Sequence, residues 1–302
     1  MGVVLLTGGT GGAKLARGLL DVVGSELTVI ANTGDDIEIH GGHVSPDPDL
    51  ITFWLADAID ERGWGLVGDT FTVMDQLRAL GSEVWFSLGD RDLGICLHRA
   101  ARLRAGATLT AVADELRDSL GVTARVLPMT DAPVRTHVRA RNAWHAFQAF
   151  MIRERGAGPV DDVHFNGARA AAPTAAVLAA IAGAEAIIVG PSNPVISIGP
   201  ILALPGMREA LDAAPAPVVA VSPLVHGAVL KGPTDAFMTW AGHALSSDGI
   251  VDHYGDLLDG LVADEPAGAV PTLVRDVELS DPRQRADVAR ATLDHAATLA
   301  RT

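Results

Sequence analysis

The 302-residue chain is 48% hydrophobic and carries a formal net charge of -14, which provides apolar material for one large α/β domain or two small ones. That charge excludes the broad basic surface that nucleic acid or an anionic membrane demands. A small anion in a local basic pocket stays compatible, and the two lysines, Lys14 and Lys231, both lie in glycine- or proline-rich loops.

Val3–Thr7 is a continuous apolar run that enters "GGTGGAK", and residues 14–23 then space Leu15, Leu19 and Leu20 along one helical face. Leu27–Ala31 reads as a second buried strand, closing a βαβ unit and predicting a parallel sheet with crossover helices. Residues 46–80 predict two helices, and "TLTAVADELRDSLG" a third, opened by Thr108 or Thr110 and closed by Gly121. "RVLPM", "VRTHVRA" and "AFQAFMI" read as extended segments of an antiparallel insertion. Ala186–Val189 and residues 217–221 are short β-branched strands that end in "GPSNP" and "VSPLVHG". Residues 284–300 predict a terminal amphipathic helix.

Ligand loops in such sheets sit at the carboxyl ends of the strands, so the loops after three apolar strands are expected to converge on one crevice. Cys96 is the sole cysteine, which rules out an internal disulfide framework and a cysteine-built zinc site. No cationic leader precedes the first strand, and Pro173, Gly183 and Glu185 interrupt the longest apolar tract. A soluble cytoplasmic protein is expected.

The glycine loop is not a Walker A sequence, because Lys14 follows Gly12-Ala13 and precedes no Ser or Thr, nor a complete G-x-G-x-x-G, because Lys14 stands where the third glycine belongs. What remains is mechanical: consecutive amides at a helix N-terminus, with an ammonium group beside them, suit a phosphate or diphosphate. "NTGDDIEIHGGHVSPDPDL" then brings Asp35, Asp36, Asp47 and Asp49 toward the same end of the sheet. Carboxylates beside phosphates call for an intervening cation such as Mg2+. Asp35 and Asp36 suit either a ribose, as in a dinucleotide enzyme, or a metal, as in a phosphoryl enzyme; Asp47 also suits helix capping after Pro46. Arg91 and Arg99 accompany Asp90 and Asp92, a pattern more common in structural ion pairs than in anion sites. Ser192, Asn193 and Ser197 offer hydroxyl, amide and backbone donors just before a helix, and His226 and Lys231 follow a further strand.

Ten segments in order resemble the 2-phospho-L-lactate transferase family of coenzyme F-420 biosynthesis: "GGTGGAK", "NTGDD", "HGGHVSPDPD", "RGWGLVGDTF", "LGDRDL", "LPMTDAPVRT", "FQAF", "PSNPVISIGPIL", "LPGMREAL" and "VSPLVHGAVLKGP". The resemblance implies an α/β, Rossmann-like parallel sheet with helices on both faces. It also implies one domain over residues 1–302 with an inserted acceptor-side lobe at about 45–175. The activity it implies moves a phospholactyl or phosphoenolpyruvyl group from a guanosine diphosphate-linked donor to the ribityl hydroxyl of the deazaflavin Fo, releasing GMP. It assigns Gly9, Thr10, Gly11, Gly12, Lys14, Arg91, Ser192, Asn193 and Lys231 to substrate and nucleotide, Asp35 and Asp235 to Mg2+, and Asp47 and Asp49 to the acceptor alcohol as the catalytic carboxylates. It further implies a homodimer. Leu50, Cys96 and Ala132 depart from the family's pattern. A nucleotide-sugar-binding regulator of the gluconeogenesis-factor type shares the glycine loop but generally lacks "SPDPD" and "KGP". A nicotinamide dehydrogenase would need the complete glycine fingerprint.

Overall fold

The computed structural model describes residues 2–230 and 232–299. Seven strands form one sheet in which every neighbouring pair is parallel. In spatial order they are Thr272–Val274, Gly260–Ala263, Val218–Val221, Ala186–Val189, Val3–Thr7, Leu27–Ala31 and Arg125–Pro128. Counted along the chain, the strand order is the doubly wound one, with the direction of winding reversing between Val3–Thr7 and Ala186–Val189.

The sheet is buried on both faces because its central strands are apolar at nearly every position, not at alternate ones. Leu5, Val29, Ile188, Val219 and Val262 point to one face, where they meet Leu15 and Leu19 of helix Gly9–Val23, Ile51 of helix Pro46–Leu55 and Leu293 of helix Pro282–Thr298. Leu6, Ile30, Ile187, Val189 and Leu261 point to the other, against Ile181, Ile201, Leu211 and Ile250. The two-residue period of a strand thus feeds two separate cores.

Helix boundaries follow local chemistry. Gly9–Val23 starts five residues before the expected Lys14, since the glycine loop is itself the first turn. Thr108, not Thr110, caps the helix Leu109–Ser119 by accepting from the Ala111 amide, while the Thr110 hydroxyl donates to Asp131. The terminal helix opens with a reciprocal cap between Asp281 and Gln284; position 300, where it was expected to end, lies outside the described residues.

Two expectations for the insertion need correction. "RVLPM" supplies Arg125–Pro128, which pairs in parallel with Leu27–Ala31 in the main sheet; the antiparallel sheet is built from Arg135–Ala140, Ala143–Ala146 and Val160–Asn166. "AFQAFMI" is mostly helix, Phe147–Ile152, because its two buried aromatics, Phe147 and Phe150, are three residues apart and share a helical face.

Leu5→Ala, at a fully buried central position, should lower unfolding stability by roughly 3 kcal/mol. Urea denaturation should show a lower midpoint at unchanged slope; a shift within about 0.5 kcal/mol would contradict this placement of the core.

Candidate active site

A cavity of about 430 Å3 opens at the carboxyl ends of the strands, where the winding reverses, within the usual size range of small-molecule sites. Loops following four neighbouring strands line it. Gly9, Thr10, Gly11 and Lys14 come from the first, Asp35 from the second, Pro191, Ser192 and Asn193 from the fourth, and Ser222 and Pro223 from the fifth. Asp47 enters from helix Pro46–Leu55, and Val225, Val229, Val277 and Leu279 make an apolar wall.

Close approach, not flexibility alone, explains the glycines. A Cβ on Gly8 would run into the Asp47 carboxylate, and one on Gly12 into the hydroxyls of Thr7 and Ser192. Those hydroxyls bond each other at 2.7 Å, and Ser192 also donates to the Gly8 carbonyl at 2.8 Å. Ser192 therefore ties two ligand loops together. Gly8 at the N-cap supplies no side-chain acceptor, so the first-turn amides beyond Gly9 retain their capacity to bind an anion.

Directly beneath this turn lie two buried carboxylates. The Gly9 amide donates to Asp47 Oδ1 at 2.7 Å, and Asn32 Nδ2 donates both to Asp47 Oδ2 at 2.9 Å and to Asp35 Oδ1 at 3.1 Å. Asn32, fully buried, is held in turn by accepting from the Gly34 amide. Burial, and then the negative charge of Asp47, raise the Asp35 pKa well above the ordinary carboxylate value. Burial also pushes Asp47 up to about 6, against the Gly9 amide and the Asn32 carboxamide, which favour its charged form. Two carboxylates so placed call for a shared cation or a proton. The neighbouring Asp36 is occupied, accepting from Ser45 at 2.8 Å and pairing with His43 at 3.0 Å.

The family model described as 2-phospho-L-lactate transferase CofD matches residues 3–294. The chain belongs to this 2-phospho-L-lactate transferase family. Its similar relatives include a protein named phosphoenolpyruvate transferase from Thermobifida fusca, 41% identical with 99% of each chain covered. Another, named 2-phospho-L-lactate transferase, from Methanosarcina mazei, is 40% identical with 87% of each covered. A crystal structure of a member of the UPF0052 family from Bacillus halodurans superposes with a TM-score of 0.64 at 18% identity, covering 97% of this chain and 98% of that one, a likeness of fold. Membership in the transferase family disfavours the regulator and dehydrogenase readings.

Of the residues that the transferase resemblance singles out, the structure gathers Gly9, Thr10, Gly11, Lys14, Asp35, Asp47, Ser192 and Asn193 around one cavity. Gly12 sits just behind, buried against Thr7 and Ser192. Asn193 accepts from the amides of Val195 and Ile196 and donates to Thr234, so it caps the following turn. Asp49, Arg91 and Asp235 do not line the cavity. Residues two apart on a helix point about 200° from each other; Asp47 thus faces the glycine turn while Asp49 faces the opposite way and pairs with buried Arg99. Arg91 is exposed and donates to the Val67 carbonyl. Asp235 is exposed in the first turn of helix Thr234–Trp240. Lys231 lies outside the described residues.

Asp49, Asp92 and Cys96 form a buried cluster around Arg99. Burial, with the charges of Asp49 and Asp69, pushes Asp92 up to about 7, Arg99 opposing; burial likewise raises the Cys96 thiol. Asn32, Phe147, Met151 and Thr234 join the site only through the fold. The position of Asn32, immediately after the second strand, was the available signal for it.

Two predictions follow from this geometry. A carboxyl whose folded pKa lies above its unfolded value favours folding at low pH and loses that contribution as pH rises through the folded pKa. Without divalent cation, stability should therefore fall between pH 3.8 and about 6, and Asp47→Asn should flatten that fall, as read by urea denaturation in chelator across the range. Equal slopes for both proteins would contradict the buried pair. Removing the other buried partner, by Arg99→Met, should cost roughly 3–5 kcal/mol by stranding Asp49; calorimetric stability equal to wild type would refute the pairing.

Proposed function

We propose that the chain transfers a phospholactyl or phosphoenolpyruvyl group from a guanosine diphosphate-linked donor to the ribityl hydroxyl of Fo, releasing GMP, in coenzyme F-420 biosynthesis. The observation that carries this reading is the meeting of an anion-binding helix N-terminus with two buried carboxylates in one cavity. The glycine-turn amides and Lys14 would hold the diphosphate, and the apolar wall would take the nucleoside. The full-length likeness to a relative named phosphoenolpyruvate transferase favours the enolpyruvyl donor as the first to test. A cytoplasmic homodimer is part of the same proposal.

Asp35 offers a hard oxygen donor that burial keeps neutral unless a cation offsets it, which fits a ligand of Mg2+. When bound, Mg2+ would neutralise charge on the phosphoryl oxygens. Asp47 fits the base. Its pKa of about 6 leaves it ionised at neutral pH, and the Gly9 amide and Asn32 fix its orientation. In the reaction the alcohol oxygen bonds to the distal phosphorus while the bond from that phosphorus to the GMP oxygen breaks. The alcohol proton passes to the Asp47 carboxylate, and GMP leaves as the monoester. Asn32 is a positioning residue for both carboxylates.

Chromatography of reactions containing Fo, a guanosine-linked donor and Mg2+ should show GMP only when all three are present. Asp47→Asn should lower kcat by about 100-fold or more with donor binding retained. A kcat within about threefold of wild type, or loss of donor binding, overturns its role as base.

A further inference from the structure

A second cavity of about 170 Å3 adjoins the first, and Asp35 and Phe147 line both. Its wall also holds Thr136, whose side-chain hydroxyl is buried and has no hydrogen-bond partner. The Thr136 amide is already committed to the Gly34 carbonyl at 2.7 Å. Gly34, in the same wall, packs closely against that hydroxyl: a Cβ there would come within 2.6 Å of it and 3.0 Å of Asn32 Oδ1. A buried, unpaired hydroxyl disfavours the empty fold and is a mark of a group awaiting a ligand.

In-line displacement places the incoming alcohol and departing GMP on one axis through phosphorus. The three-carbon acid, esterified to the same phosphorus, must then leave that axis sideways, and a side compartment sharing Asp35 with the phosphate cavity lies where such a substituent needs room. At about 30 Å3 for each water-sized group, it takes roughly six, the heavy-atom count of a three-carbon hydroxy acid and far too few for a tricyclic deazaflavin. Its lining is divided to match. Ala146 and Phe147 are apolar, whereas Thr136, Arg135 and Gln148 carry donors. Arg135 spends Nη1 on the Val134 carbonyl and Nη2 on Glu38, which leaves donors of its five for a further acceptor. Of the three acidic groups in the wall, Glu38 pairs with Arg135 and His43, Asp36 with Ser45 and His43, and Asp35 accepts from Asn32 at the boundary with the first cavity.

We propose that this side cavity is the subsite for the three-carbon acid of the donor, with the Thr136 hydroxyl donating to its carboxylate. The inference rests on the transferase reading above. GDP lacks the three-carbon acid and serves as the internal control. Thr136→Val keeps the side-chain shape without the hydroxyl, Thr136→Ser keeps the hydroxyl, and Ala146→Leu fills the cavity from its exposed rim. In the full-length protein, Thr136→Val and Ala146→Leu should each raise KM for the guanosine-linked donor about tenfold. The Kd for GDP, read by calorimetry, and the KM for Fo should stay within twofold. Thr136→Ser should restore the donor KM. An unchanged donor KM in both Thr136→Val and Ala146→Leu overturns the subsite, as does a matching loss of GDP affinity, or a rise confined to the KM for Fo, which would give the cavity to the acceptor. Wild-type protein that releases no GMP defeats the transferase reading itself, and the subsite with it. Active wild type with an indifferent Thr136→Val and Ala146→Leu defeats the subsite alone.

Discussion

Asn32 holds two buried carboxylates a few ångströms apart beneath a helix N-terminus, and the site is arranged around the resulting conflict of charge. Burial disfavours both anions, while the Asn32 carboxamide favours both and the Gly9 amide favours that of Asp47. The balance leaves the pair able to accept positive charge, as a cation or as protons. The glycine turn directly above is prepared for the opposite charge. A phosphate bound there and a cation bound below would each relieve the other's electrostatic cost, so donor and metal binding are expected to be mutually reinforcing.

The fold makes this juxtaposition possible at little local cost. Parallel strands buried on both faces bring several loops to one end, and the reversal of winding between Val3–Thr7 and Ala186–Val189 opens the crevice between them. The Thr7–Ser192 hydroxyl pair closes the base of that crevice. Helix Pro46–Leu55 is the one element that must lie accurately, because it aims Asp47 up at the glycine turn and Asp49 away into the Arg99 cluster. The buried Arg99 pair thereby fixes the orientation of a helix whose other face serves the cavity.

Much of this was legible from the chain. The glycine loop, the acidic loop after the second strand and "GPSNP" are each local patterns attached to strands with unbroken apolar runs, and strand position alone sends them to one crevice. The fates of Asp47 and Asp49 were harder to separate, because "SPDPD" presents them as equivalents until the helical phase is applied. "RVLPM" shows extended character but not its partner strand, since pairing is decided by long-range contacts. "AFQAFMI" was read with the wrong period, although Phe147 and Phe150 carry the helical spacing. The strand-end position of Asn32 hints at the site but not at the bridge it makes to Asp47, and the role of Thr136 depends on the lack of a partner, which leaves no pattern in the residues nearby.

The most direct test of the central arrangement is anomalous diffraction from crystals grown with GDP and Mn2+. The account predicts a manganese peak within coordination distance of Asp35 and a diphosphate seated on the amides of Thr10 and Gly11. A nucleotide bound elsewhere, or a diphosphate on that turn with manganese away from Asp35 and Asp47, would contradict it.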